Sequence, residues 1–399
     1  VAKSIKINIS FIYFTLLTLY FGFVNTPFQF SKQIQNALLG IMVVIFLFWL
    51  LRQNYTGRDI VWLIFLFLFA GITAWKTNVS LLIDVMSAIV FSRSQRSTIF
   101  KLIFWERIAI NIFRSIFSLN GVIQNKVQVA KSGLYVTGYG LGFDSPNNLA
   151  VEIGMLILLY VCIKESSITF KNILVIIIIT LATYRLTLSR TFIGLMTVAI
   201  LLLIGIKYFG KLKSFVNLYK FVGVISLAIG FIISIGIPYV MNLGIGNLDQ
   251  LFDLLNQLTS NRFLHASRVM LHYPITLFGG IGDFDILDSI YKYSIVDDSY
   301  IHLLYGFGIV GTIIFVILYT STIITLIRNK KLYWVMPIII FIMWGMSEGV
   351  LYSLHWNFSI LLWGVILRKN YSSVDGKNLK KKGLISHNAK ADFNYTTSV

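Results

Sequence analysis

Charge is scarce in this chain. Asp, Glu, Lys and Arg make up 13% of its 399 residues, against about 25% in an ordinary soluble domain. A chain so poor in charge does not solvate its own surface in water. Cysteine is nearly missing too: the single Cys162 sits inside an apolar stretch, which excludes intrachain disulfides and metal sites built from several cysteines. The first apolar segment, 9–24, lacks a small-residue cleavage site and reads as a signal anchor. No internal repeat is evident. No basic stripe is interleaved with aromatics, so nucleic acid is not an expected partner despite the net charge of +18.

What the chain has in abundance is apolar length. Hydrophobic residues reach 57% and the mean hydropathy is +0.79. Runs such as Leu38–Leu51, Ile60–Trp75, Asn172–Tyr184 and Phe221–Val240 can, with their flanks, cross a ~30 Å hydrocarbon layer. The expected fold is all-α and polytopic, with about twelve spans. They fall at roughly 9–24, 37–51, 60–75, 79–92, 98–118, 148–163, 172–187, 191–206, 221–240, 300–327, 332–347 and 353–367. Most of the 34 Lys and Arg then collect on one side, in short loops. By the positive-inside rule that side is cytoplasmic, with both termini on it, in the cytoplasmic membrane. Anionic lipid headgroups are the expected partners of the basic excess.

Five regions follow: N-terminal spans (1–118), central spans (119–240), a long extracytoplasmic loop (241–299), C-terminal spans (300–368) and a lysine-rich tail (369–399), expected to be disordered. Acids show the opposite bias to bases. Asp144, Asp249, Asp253, Asp283, Asp285, Asp288, Asp297, Asp298 and Glu348 fall on the outer side. Topology does not require acids to collect there, so the outer face is where chemistry is expected.

In the long loop, Asn247 can cap a helix through Leu258 with Leu248, Leu251, Phe252, Leu255 and Leu258 on one face. Asp249, Asp253, Asn256 and Gln257 take its wet face. Such a helix suits a headgroup boundary. After "TSN" comes "RFLHASRVMLHYP", stopped by Pro274. Phe263, Ala266, Met270 and Tyr273 share one stripe, and Arg262, His265, Arg268 and His272 a neighbouring one. The second stripe is either a solvated face or a fixed array of donors for diphosphate oxygens. "LTLSRTFIGLM" puts Arg190 at a hairpin tip, snorkelling to headgroups or meeting a lipid phosphate. "GYGLGFDSPNNLAVEIG" leads through Asp144 and Pro146 into a helix whose first turn carries Asn147 and Asn148. The spacing of Gly306, Gly308 and Gly311 fits close helix packing in a span. Glu152, Glu348, His302 and His355 read as interior polar groups. Arg107 and Arg114 share a helical face and either line a cavity or pair with acids.

In order along the chain, "GFDSPNNLA", "LSRTFIGL", "LTSNR…HYPITLFGG" and "VDDSYIHLLYGFGIVG" resemble motifs of the Wzy-type polysaccharide polymerases, in the superfamily of the O-antigen ligases. The resemblance covers roughly residues 130–320. It implies a GT-C-like helical fold and a metal-independent glycosyltransferase without cofactors. Such an enzyme joins undecaprenyl-diphosphate-linked oligosaccharide repeats on the outer face of the membrane, with chain-length regulator and flippase proteins as further partners. The family's arginines fall on Arg190 and Arg262. Where many members carry a histidine–asparagine pair, this chain has Asp297 and Asp298, and either can be the base while the other caps a helix. Arg268, His265, Asp144, Asn147 and Tyr300 complete the expected substrate contacts. A ligase of the same fold is the nearest rival, and a lipid-linked-oligosaccharide flippase or a sensor protein the more distant ones.

Overall fold

A computed structural model describes residues 8–23, 28, 30–76, 80–131, 134–282, 284–292 and 296–367. Asp283 and the tail 369–399 lie outside the described residues. In chain order the helices are α1 (Ile9–Gly22), α2 (Lys32–Leu51), α3 (Gly57–Lys76), α4 (Ser80–Arg93) and α5 (Arg96–Leu119). A hairpin of β1 (Lys126–Lys131) and β2 (Leu134–Tyr139) follows. Then come α6 (Pro146–Lys164), α7 (Phe170–Thr187), α8 (Arg190–Phe209), α9 (Lys213–Phe231) and α10 (Ile237–Asn242). The last set is α11 (Asp249–Thr259), α12 (Arg262–His272), α13 (Asp285–Tyr291), α14 (Ser299–Gly306), α15 (Gly308–Arg328) and α16 (Leu332–Trp344).

Six of these helical stretches are long and apolar enough to cross a membrane: α2, most of α3, α7, α8, the continuous run from Lys213 to Asn242, and α15. α1 and α16 are apolar but shorter. Most of the apolar surface of α2, α3 and α7 faces outward, with Val44, Leu68 and Ile178 among the exposed side chains. Water would not tolerate that much exposed hydrocarbon, whereas lipid does. The centre is the reverse: α4, α6 and α16 are buried along most of their length.

Local chemistry explains the helix boundaries. Ser145 accepts from the Asn148 amide at 3.2 Å and Pro146 occupies the first turn of α6, where its missing N–H costs nothing. Thr169 and Asn172 form a reciprocal capping box at the start of α7. Leu188, in the left-handed region, ends that helix.

Four departures from the expected architecture matter. The chain is mostly helical, as expected, with one unexpected hairpin: β1 and β2 pair antiparallel, Lys126 opposite Tyr139 and Lys131 opposite Leu134. The expected span 300–327 is broken. α14 stops at Gly306 and α15 restarts at Gly308, and residues 276–281 lie against the break. There the Gly280 and Ile281 amides donate to Gly306 O and Tyr305 O, while the Ile309 and Val310 amides donate to Thr276 O and Leu277 O. Groups released by the break are thus paired inside the protein, as a low-dielectric surrounding demands. Gly308, expected to serve helix–helix packing, instead has φ 72° and meets the backbone of Gly279 and Leu277.

The expected span 353–367 is no α-helix; it runs through turns into a 3-10 helix, Phe358–Val365, packed so tightly on α4 that a Cβ at Gly364 would strike Ala88 O. Finally, the 221–240 span holds a π-helical turn, Ile232–Gly236, just before Pro238. Proline cannot donate into the helical ladder, and the wider turn absorbs that defect.

Candidate functional site

The site is assembled where α14 begins. Asp298 is its N-cap: the carboxylate accepts from the Tyr300 amide at 2.8 Å and the Ile301 amide at 3.3 Å. The next residue, Ser299, ties this helix start to the segment after α16. Its amide donates to Gly345 O at 2.8 Å, and its hydroxyl donates to Glu348 O at 2.6 Å and accepts from the Leu351 amide at 3.0 Å. That stitching fixes Glu348 beside Asp297.

Arg262, the first residue of α12, arrives from the other side. Its Nη2 lies 2.8 Å from Glu348 Oε1 and 3.8 Å from Asp297 Oδ2. The α11–α12 turn that aims it is locked by Asn256, whose carbonyl accepts from the Asn261 amide at 2.8 Å and whose side-chain oxygen accepts from the Leu264 amide at 3.0 Å. Ser260 and Asn261 both turn through positive φ there. Ala266 and Val269 then bury α12 against Phe284, Leu287, Val296 and Ile301. Asn147, in the first turn of α6, completes the cluster by donating to Glu348 Oε1 at 3.3 Å. Segments distant in sequence therefore meet on one carboxylate.

The two aspartates differ in surroundings. Asp298 is 3% exposed, whereas the Asp297 side chain is 39% exposed. Burial pushes the Asp298 carboxyl up to about 7, against the opposing pull of Ser234 on the π-helical turn, the two capped amides and Arg262. Burial also raises Asp297, with Arg262 and His302 opposing. Glu348 rises to about 7, again through burial first, with Asp297 adding to the rise and Arg262 opposing it. One cation thus sits among three acids, each less acidic than in water. Arg262 keeps a buried Nε–H without a partner among the described residues.

Of the expected site residues, the structure joins Arg262, Asp297, Asp298 and Asn147. The stripe on α12 splits. Arg268 lies over the Tyr291 ring, 4.1 Å from its centroid, and His272 Nε2 is 3.0 Å from the Tyr291 hydroxyl. His265 is half-buried, and burial with Arg268 nearby drives its pKa down to about 4. Arg190 is exposed at the first turn of α8 and makes no ion pair among the described residues. Its hairpin tip is nonetheless close to the site loop: a Cβ added at Gly138 would lie 2.7 Å from the Pro146 ring and 3.5 Å from the Thr187 carbonyl. Asp144 is exposed beside that loop. Tyr300 does not reach the site: it is wholly buried, its hydroxyl donating to Ile342 O at 2.8 Å.

Sequence reasoning missed Glu348, which was expected to face the bundle interior. The signal was an acid placed directly after the apolar run of α16, on the side where acids collect. Asn247 does not cap α11, which starts after a 3-10 turn, Gly246–Leu248. Asn256, assigned to the wet face, is buried. Of the groups expected in the interior, Glu152 and His355 are buried. Arg107 pairs with Glu152 at 2.7 Å and donates to His355 O at 2.7 Å, and Arg114 stacks 3.8 Å above Phe143.

Compared with known proteins, the chain matches no family model, no curated protein and no solved structure.

Proposed function

We propose that the protein is a membrane glycosyltransferase that polymerises lipid-diphosphate-linked oligosaccharide repeats on the outer face of the cytoplasmic membrane. Its helices follow a GT-C-like plan with about twelve crossings. The observation that carries this reading is Arg262 held between Glu348 and Asp297 at the start of a broken membrane helix. A guanidinium there meets the charge that grows on a departing diphosphate, and a preorganised donor acts most strongly where water is scarce. Its unpartnered Nε–H is the donor left for that oxygen.

The chemistry follows. An acceptor sugar hydroxyl attacks the anomeric carbon of the donor repeat, and the carbon–oxygen bond to the lipid diphosphate breaks. The electron pair leaves on the diphosphate, facing Arg262, and the hydroxyl proton passes to Asp297. Asp297 takes that role because Asp298 is committed to its helix cap, and a carboxylate raised by burial is a better base than one in water. Glu348 and Asn147 orient the guanidinium. Arg190 and Asp144 flank the approach of the sugar-phosphate, with Arg268 and His265 further along α12. Undecaprenyl diphosphate is the proposed carrier.

Replacing Arg262 with alanine in the native host, with membrane levels confirmed, should cut long polymer about a hundredfold or more. Single repeats should still appear on the outer surface. Unchanged polymer length would contradict the assignment, and repeats trapped inside the cell would favour a flippase.

A further inference from the structure

Two arginines stand inside the bundle beneath the loop that leads to Asn147. Arg107 and Arg114 share one face of α5, and both are buried, Arg114 to 1% exposure. One acid serves the pair. Glu152 on α6 accepts from Arg107 Nη1 at 2.7 Å with one oxygen and from the Asn111 amide at 2.9 Å with the other. Asn111 in turn accepts from Arg114 Nη2. Glu106, next to Arg107 along the helix, accepts instead from Thr15 on α1 at 2.6 Å. A guanidinium stays protonated inside a protein, so the cluster holds two fixed positive charges against one carboxylate.

The donors left over show where a counter-charge belongs. Arg114 Nε and Nη1 are buried with no hydrogen-bond partner among the described residues, and so are both ring nitrogens of His355. Both arginines act electrostatically on His355, whose ring lies 5.5 Å from Phe21 and 4.0 Å from Trp356, centroid to centroid. In either tautomer that ring brings one N–H. A buried cation without a counter-charge is costly, and Phe143, 3.8 Å from the Arg114 guanidinium, offers only its ring face. Space here is small. The cavity that Arg107 lines with Phe21, Met155 and Leu354 measures about 20 Å³, where one water needs roughly 10–15 Å³. A monatomic ion suits such a space and a phosphate does not.

We infer that the Arg107–Arg114–His355 cluster binds one halide ion, chloride under ordinary conditions. The Arg114 and His355 N–H groups are its donors, and Arg107 adds the second positive charge. Arg114 stacks on Phe143, and Asn147 follows four residues later, so the ion braces the loop that delivers Asn147 to Glu348. The site stands whether or not the protein is a polymerase.

The test is thermal unfolding of the full chain in nanodiscs, in sodium chloride, bromide, gluconate or sulfate at equal ionic strength. Both halides should raise Tm by about 2 °C or more over gluconate, with an effect that saturates as concentration rises. Sulfate stabilises folded proteins in general by exclusion from their surfaces; a generic salt effect therefore ranks sulfate first, and a bound ion ranks the halides first. R114M should abolish the halide dependence. H355F should raise the half-saturating chloride concentration about tenfold, as loss of one hydrogen bond requires, and gives the reading should R114M not fold. R262A should respond to chloride as the parent does, which separates this site from the proposed catalytic cluster. Equal Tm in chloride and gluconate, or sulfate ranked first, would mean that water alone meets these donors and would overturn the site. Undiminished halide dependence in R114M or H355F would place the ion elsewhere and overturn it as well.

Discussion

Two adjacent aspartates of identical chemistry end in different roles because α14 begins between them and their neighbours. Asp298 faces the first turn and is consumed by two backbone amides, while Asp297 points toward Arg262 and remains partly open. That one of the pair would cap a helix was legible in "VDDSY", since an acid before an apolar run is an ordinary N-terminus signal. Glu348 was not legible, because its role depends on Ser299 stitching two loops that lie far apart in sequence. The same split sets a stability prediction. Asp298 is raised to about 7 in the fold against 3.8 as its ordinary value. The folded state therefore holds the proton more tightly, and this group's contribution to stability is greatest below about pH 4 and is lost as pH climbs toward 7. Asp298→Asn keeps a capping oxygen without the buried charge, so it should shrink the fall in Tm between pH 5 and pH 8. Asp298→Ala removes the cap and should cost about 1 kcal/mol or more at either pH. Thermal unfolding of detergent-solubilised protein reads both. An unchanged pH slope in Asp298→Asn would contradict the assigned burial.

At the scale of elements, hydropathy located the apolar stretches but said little about their backbones. Residues 300–327 form one apolar run and two helices, because the pairing of 276–281 with the break is invisible to a composition window. The hairpin of β1 and β2 carried a weak signal, "KVQVAK" and "LYVTGY", with alternating β-branched and aromatic residues. Residues 353–367 read as a span since buried 3-10 turns and α-helix share a composition. The break gives a direct prediction. At Gly308 any side chain meets positive φ and the Gly279 and Leu277 backbone together. Gly308→Ala should therefore destabilise by about 1–3 kcal/mol or more, seen as a lowered Tm. Gly194→Ala, on α8 with nothing nearby, should be neutral or slightly stabilising. Equal Tm for the two variants would argue against the break.

At the scale of the whole molecule, charge scarcity and exposed apolar helices point to one solvent, and the polar assets point to one end of the bundle. The segments 119–147, 241–299 and 345–351 meet there through Asn147, Arg262, Asp297 and Glu348. That they would gather was legible in the one-sided acids; which side of the membrane they occupy rests on the lysine asymmetry. The most direct measurement uses the chain's single, buried cysteine as a silent background. Cysteine is introduced at the exposed positions Asp144 and Asp249, and intact cells stripped of their outer layers are treated with a membrane-impermeant maleimide. The account predicts that both positions label without permeabilisation. Labelling of either only after the membrane is opened would put the arginine–carboxylate cluster in the cytosol and contradict the account.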